Sequence, residues 1–539
     1  MSIKIMHKRQ IFKVSMLLIL GLSVFICIYA LLNYNDSTVS TPNNIEHRMP
    51  PINARNQISG DGNQIHGKRF PDVNSPQHMA PQNGRIFGMN ISSGFKYAPL
   101  LTTYSIIFLF LFIAAYYLFI YKSKKINFDN EKMLILILLC IGLLLRISLA
   151  TLVEGHPVDI NIFRSWATSA ANNLFKFYSN TMSSDYPPLY IYVLFLVGKI
   201  ASIPALSHYY TILLKLPSIA ADIATSYLIY KLARRYLSQE ISIFISAFYI
   251  FNPAVFINST IWGQVDSFFT FFVVSSLFFL SEEKIMLSSA LFTAAVLMKP
   301  QGIIFLPVLF FELIREKSFM SFIKAAASAL ITSAVIILPF TSSKDVLWIF
   351  KLFSSTVSEY PYASVNAFNF FSLLGANYLK DNSILFVFSY HIWGIIFIAI
   401  ITAFSWFIYI KANSSLYAFA AALIQIAGVF TFSTGMHERY LFPAAALTII
   451  TFIYLRDKRL LLLFCGFSAA IYINTYYVLF ETFKGINSVI YDPVLILTSL
   501  LNILLFVYLT KILFDIAVKK RTYTLNVSNL QSHKVHTII

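Results

Sequence analysis

Runs of about 16 to 25 apolar residues recur along nearly the whole chain, and a soluble fold has no interior large enough to hide so many of them. Of the 539 residues 57% are hydrophobic and only 12% are charged, with a mean hydropathy of +0.69. A soluble protein is thereby excluded, and an all-α polytopic membrane protein is the expected fold class. Lys and Arg outnumber Asp and Glu by 41 to 24, a net charge of +17. The surplus sits in clusters between apolar runs rather than along one basic face, so it reports topology, and no nucleic-acid partner is expected. The three cysteines, Cys27, Cys140 and Cys465, all fall inside apolar runs, which leaves no disulfide framework or CxxC metal site.

The opening MSIKIMHKRQIFK leads into an apolar run near 14–33 that is longer than a signal-peptide core and has no convincing cleavage site, so residues 1–33 are read as a cytoplasmic N-terminus with a retained first helix. Residues 34–100 are rich in Asn, Pro, Gly, Gln and Ser and lack periodicity, as an external disordered loop would. Residues 101–132 hold the second helix and a basic cytoplasmic loop, KSKKINFDNEK. The stretch PPLYIYVLFLVGKIASIP in the loop 154–209 is laid along the membrane surface, because a crossing there would send KLARR, IREK and RDKR outside. Spans then follow near 133–153, 210–232, 241–257, 267–281, 285–298, 300–314, 322–340, 384–410, 416–433, 439–455, 460–480 and 494–516, for fourteen helices in all. A catalytic membrane core over 133–480, a last external loop and helix over 481–516 and a basic cytoplasmic tail over 517–539 complete the division. Plasma-membrane residence with both termini cytoplasmic is the expected localisation.

This topology brings charges from five loops to one membrane face: Asp159 in EGHPVDINIFRSWA, Asp185 in SSDYPPLY, Asp266 in NPAVFINSTIWGQVDSFF, Lys299 in LMKPQG, and His437, Glu438 and Arg439 in TGMHERYLFP. Ionisable groups beside hydrocarbon usually face a cavity or one another, so a single external site is the economical reading. Asp159 and Asp266 could each do no more than cap a helix, and Asp185 could be an ordinary turn residue before Pro187 and Pro188. Lys299 could merely end a helix, yet a cation on the external side runs against topological bias and suits anion binding. The dense His437-Glu438-Arg439 turn could be paired internally. Glu154, Lys351, Glu359 and Glu481 read as solvated loop charges. Walker, GxGxxG, HExxH and GxSxG motifs are missing, which leaves nucleotide hydrolysis, dinucleotide chemistry and zinc proteolysis without support. Carboxylates able to act as base, beside cations able to hold a phosphate, fit attack by a hydroxyl on a phosphate-activated sugar.

At these residues the chain resembles the membrane-embedded C-type (GT-C) glycosyltransferase superfamily, whose hallmark is an acidic residue in the first external loop of the core; HPVDINIFRSWA matches that loop. DYPPLY, NPAVFINSTIWGQVD, LMKPQG and MHERYLFPA are most similar to bacterial relatives of the second mannosyltransferase of GPI-anchor synthesis. The resemblance covers 133–480 and implies a GT-C-like core with surface-lying helices in the loop 154–209. It implies transfer of a hexose, mannose being the expected one, from a polyprenyl-phosphate donor to a hydroxyl acceptor on a glycan, glycolipid or protein. Asp159 would be the base and Asp266 the second catalytic carboxylate, which binds or orients. Asp185, Tyr186, Trp262, Gln264, Lys299, Gln301, His437, Glu438 and Arg439 would bind substrate, with Trp262 stacking on a sugar face and Gln264 bonding its hydroxyls. Some relatives hold a divalent metal with carboxylates and others do not, so the metal stays unassigned. The two amino-terminal helices and the 67-residue loop fall outside the resemblance. A transporter or lipid flippase is the alternative, but it calls for charges near the bilayer midplane and repeated halves, and no repeat is found.

Overall fold

The computed structural model describes residues 2–34, 96–125, 130–181, 184–341, 344–345 and 347–524, all within the compact unit formed by Met1–Asp36 and Ser92–Ile539. Of the polar loop expected over 34–100 and the tail expected over 517–539, residues 35–95 and 525–539 lie outside the described residues. The rest is helical: α1 (Ser2–Leu32), α2 (Ala98–Ala115), α3 (Glu131–Ala150), α4 (Pro157–Asn172), α5 (Pro188–Ala201), α6 (Tyr210–Tyr236), α7 (Gln239–Ile250), α8 (Asp266–Ser281), α9 (Ile285–Met298), α10 (Leu306–Glu316), α11 (Phe319–Ile337), α12 (Trp348–Ser358), α13 (Tyr390–Ala412), α14 (Ala418–Phe432), α15 (Pro443–Leu455), α16 (Arg459–Phe483) and α17 (Pro493–Ala517). Two strands of two residues each, β1 (Ile384–Leu385) and β2 (Phe388–Ser389), form an antiparallel hairpin.

Among the described residues, ten helical segments are long and apolar enough to cross a membrane. The chain is an all-α polytopic membrane protein. Three other segments expected to cross, 267–281, 285–298 and 439–455, are the 16-, 14- and 13-residue helices α8, α9 and α15. At 1.5 Å per residue they reach only about 20 to 24 Å, short of a hydrocarbon core of about 30 Å. The segment expected over 300–314 is a 3₁₀ turn, Pro300–Phe305, leading into the 11-residue α10. α5, expected to lie along the surface, has 14 residues, starts at a proline as such helices favour, and packs on α4.

Two expected spans differ in kind. The run 241–257 is not one continuous helix: α7 stops at Ile250, and Pro253 restarts the chain with Asn252 capping Ala254 through its side chain at 3.0 Å. A π-helical turn, Ile257–Trp262, then widens the ladder and ends at Gly263 in the left-handed region (φ 85°). The run 384–410 begins as the hairpin, because Ser389 ends β2 and caps α13 by accepting from the Ile392 N–H. The α-helix therefore starts only at Tyr390.

Helices α14 and α15 occupy the centre, with nearly every side chain buried. Their alanines, Ala420–Ala422 and Ala444–Ala446, let neighbouring backbones approach, which is the usual basis of helix association where lipid removes the hydrophobic drive. On the rim, α1 and α2 turn Leu18, Phe25, Leu32 and Phe110 outward, apolar surface that suits hydrocarbon rather than water. α4 and α5 meet at Gly198, where an added Cβ would lie 2.2 Å from the carbonyl oxygen of Ala167. Gly198→Ala should therefore push these helices apart and lower the thermal midpoint in detergent, by an amount equivalent to about 1–3 kcal/mol. Gly21→Ala, where nothing lies within 4 Å, should leave the midpoint unchanged. Equal midpoints for the two variants would show that the α4–α5 contact is not tight.

Candidate active site

Helix α4 starts where Gly155 turns at φ 117° and His156 takes the N-cap, its Nδ1 3.4 Å from the Asp159 N–H. Gly155 and Gly263 let this turn pass close beside the end of the π-helical turn, so that the His156 N–H donates to the Trp262 carbonyl at 2.9 Å. A Cβ on either glycine would strike Ile160 at 2.6 Å. His156 stacks on Trp262 with ring centres 4.9 Å apart and planes within 9°. Trp262 Nε1 and Gln264 Nε2 both donate to Asp159 Oδ2, at 2.6 and 2.5 Å. Among the described residues, Oδ1 of Asp159 accepts no hydrogen bond, and the side chain stays 20% exposed. Asp159 thus does not cap its helix. Burial pushes its carboxyl up, but His156, Arg439 and the two donors outweigh that and hold it below the usual carboxylate range.

Trp262 and Gln264 are almost fully buried. Trp262 carries His156 on its ring, has Arg439 5.3 Å from its centroid, and gives its N–H to Asp159. These side chains, expected to meet a sugar directly, hold and polarise Asp159 in this structure.

Asp266 opens α8, but its side chain makes no cap. Oδ1 receives Lys299 Nζ at 2.5 Å and Oδ2 receives Asn258 Nδ2 at 2.9 Å, with Arg439 Nε 3.7 Å away. Lys299, between α9 and the following 3₁₀ turn, also lies 5.8 Å from the Tyr186 ring centre and 5.7 Å from that of Tyr440. Burial pulls the Lys299 ammonium below its usual range, against the opposing field of Asp266. Arg439 pairs with Glu438, and His437 Nδ1 lies 3.9 Å from Glu438. Burial lowers His437 to about 3, helped by Arg439 and Lys299, so its imidazole is neutral at neutral pH. Burial raises the carboxyls of Glu438 and Asp185, the second of which also feels Lys299, Asp159 and Arg439. The amide oxygen of Gln301, the Nε of Arg439 and the amide oxygen of Asn258 are buried without a hydrogen-bond partner among the described residues.

Every residue singled out from the sequence therefore reaches one cluster. Lys351 instead pairs with Asp345 and Glu481 with Lys484, and Glu359, though exposed, feels the neighbouring Asp185 carboxylate. His156, Asn258 and Tyr440 also belong, though nothing in the strings that contain them marks them out. A second omission had a mark: Arg146 and Asp222 are charges inside apolar spans. Arg146 Nε donates to Asp222 Oδ2 at 3.0 Å and Ser259 Oγ donates to the same oxygen at 2.6 Å, anchoring the π-helical turn to α3 and α6.

Asp266, one of the two carboxylates considered for a divalent cation, has no oxygen left for one. Lys299 and Asn258 take both oxygens of Asp266, and among the described residues no three His, Cys, Asp or Glu side chains group to hold a metal. The Lys299–Asp266 pair is 4% and 5% exposed, so removing one partner leaves a buried charge, at a cost of about 3–5 kcal/mol. Lys299→Gln leaves Asp266 the Arg439 guanidinium as a neighbour, whereas Asp266→Asn leaves Lys299 facing Arg439. Asp266→Asn should thus lower the thermal midpoint more than Lys299→Gln, and the double variant should recover part of the loss. Additive effects of the two substitutions would mean that the ion pair is not energetically coupled.

Searches against family models and curated proteins returned no match for this chain.

Proposed function

We propose that this protein is a glycosyltransferase of the GT-C type that moves a hexose, most simply mannose, from a polyprenyl-phosphate donor to a hydroxyl acceptor on the external face of the plasma membrane. The observation that carries the reading is the state of Asp159: a carboxylate held ionised, with Oδ2 fixed by Trp262 and Gln264 and Oδ1 free, beside Lys299 and Arg439. A base needs a free oxygen and an ionised carboxylate before a hydroxyl can give up its proton. The two cations supply the charge that a departing lipid phosphate requires, since a partly desolvated guanidinium or ammonium stabilises phosphate far better than one in water. Both already have carboxylate partners, Glu438 and Asp266, so an incoming phosphate exchanges with these rather than filling an unneutralised pocket. Asp266 in this reading positions Lys299 and Arg439, which agrees with an orienting role.

The orientation rests on charge. α8 runs from Asp266 to a far end where Arg235 pairs with Glu282 and Arg315 with Glu283, and Arg456, Lys458 and Arg459 follow α15 at its end remote from His437–Arg439. By the positive-inside rule that end and both termini are cytoplasmic, and the four short segments bring the helices of the whole chain to fourteen. A transporter or flippase remains the second reading, because a broken segment such as 251–265 and an in-span pair such as Arg146–Asp222 are also parts of transport pathways.

Asp159→Asn should lower turnover about 100-fold to 10,000-fold while donor affinity is nearly kept, measured as transfer from a radiolabelled polyprenyl-phosphate sugar in proteoliposomes with folding checked by size exclusion. Near-wild-type turnover would remove Asp159 from the base role, and flipping of the labelled lipid without transfer would favour the second reading. For the topology, Lys380→Cys in a background free of native cysteines should label from outside intact cells, and Lys317→Cys only after permeabilisation. The reverse pattern would put the site in the cytoplasm.

A further inference from the structure

The β1–β2 hairpin carries three strongly exposed apolar side chains at the site end: Phe386 is 87% exposed, Val387 76% and Ile384 75%. Its loop has only two residues, Phe386 and Val387, and Phe386 sits at φ 57°. Two-residue hairpins give that first loop position to glycine, asparagine or aspartate, because a bulky side chain there is strained. A phenylalanine that is both strained and unpacked contributes nothing to the interior. The hairpin is nevertheless firmly built. The Trp393 indole Nε1–H donates to the Leu385 carbonyl at 2.9 Å, Phe388 packs edge-on against Trp393 at 5.4 Å, and the Tyr390 backbone N–H donates to the Ser383 carbonyl at 3.0 Å.

Its position says what covers it. β2 runs directly into α13, one of the ten helices able to cross a membrane, so the tip lies about one strand length from where hydrocarbon begins. Trp393, on the first turn of α13, is the kind of residue that marks a membrane–water boundary. Close by in the chain, α12 turns Phe350 and Val357 outward, 70% and 71% exposed, next to the exposed Lys351. That is the make-up of a helix lying in an interface.

We propose that the Phe386–Val387 tip inserts into the acyl–headgroup boundary of the bilayer, as a lipid-contacting foot that sets the depth of the site loops. The coupling is a ladder of backbone hydrogen bonds. The His391 N–H donates to the Asp381 carbonyl (2.9 Å), the Asp381 N–H to Pro361 (3.0 Å), the Ala363 N–H to Leu379 (2.7 Å) and the Val365 N–H to Met436 (2.9 Å). It ends in the turn that bears His437, Glu438 and Arg439. The foot thus fixes how far below the headgroups Arg439 sits, whatever reaction the site performs.

The test uses the full chain in nanodiscs, where both membrane faces are open to solvent. Phe386→Cys, with Cys27, Cys140 and Cys465 replaced by alanine, is labelled with nitrobenzoxadiazole; Val387→Cys is measured alongside, so that one perturbed turn does not decide the matter. Lys317→Cys, an exposed loop position, is the aqueous reference. At both tip positions the emission should be blue-shifted, quenched by lipids carrying a nitroxide high on the acyl chain, and severalfold less sensitive to iodide than the reference. Iodide quenching equal to the reference would place the tip in water. Shielding from iodide and nitroxide lipid alike would place it against protein, a second copy of the chain included. Either result overturns the proposal.

Discussion

Hydrocarbon offers no partner to a backbone N–H, a carbonyl or a charge, and that constraint shapes this molecule at every scale. It makes nearly all of the described chain helical, and it decides where the chain is allowed to stop being helical. The break after α7 is tolerated because the segment 251–265 is buried in protein and closed by its own residues. Asn252 caps the restart, the Asn258 carbonyl accepts from both the Gly263 and Gln264 N–H groups at 3.1 and 3.0 Å, and Ser259 reaches down to Asp222. From that one irregular stretch come Asn258, Trp262 and Gln264, three of the groups that arrange the two central carboxylates.

The same constraint sorts those carboxylates. Asp266 is paired on both oxygens and joins the start of α8 to the end of α9, so it resembles a buried clamp whose loss leaves an uncompensated charge. Asp159 has one oxygen fixed and one free, and it is the more exposed of the two. Neighbouring cations keep Asp159 ionised, whereas burial drives Asp185 and Glu438 toward the protonated form. Four acids therefore share one small volume with two cations, and burial and charge act on them unequally: Asp159 is pushed down while Asp185 and Glu438 are pushed up.

The backbone ladder from the hairpin to the His437–Arg439 turn adds a mechanical element. A site whose proposed donor is a lipid has to hold its charged groups at a fixed distance from the headgroups, and a rigid ladder starting at the membrane boundary does this without any flexible linker. The π-helical turn plays the corresponding part on the other side of Arg439, since it holds Trp262 beneath the guanidinium.

The sequence by itself determined the solvent: apolar runs and sparse charge require a polytopic helical membrane protein, and the sorting of Lys and Arg between runs suggests which loops share a face. The residues of the candidate site were also legible, because a charge beside hydrocarbon is costly enough to stand out, as at Asp159, Asp266, Lys299 and Arg439. Arg146 and Asp222 could have been found on the same ground. Only the tertiary structure decided how these groups are paired, because pairing depends on loops far apart in the chain, as between Asp266 and Arg439. It alone distinguished a carboxylate with one oxygen open from a clamped one, and it showed Trp262 as a buried support. Hydropathy likewise could not see that 384–389 is a hairpin, since a strand, a turn and a helix of the same apolar residues read alike until their hydrogen bonds are drawn.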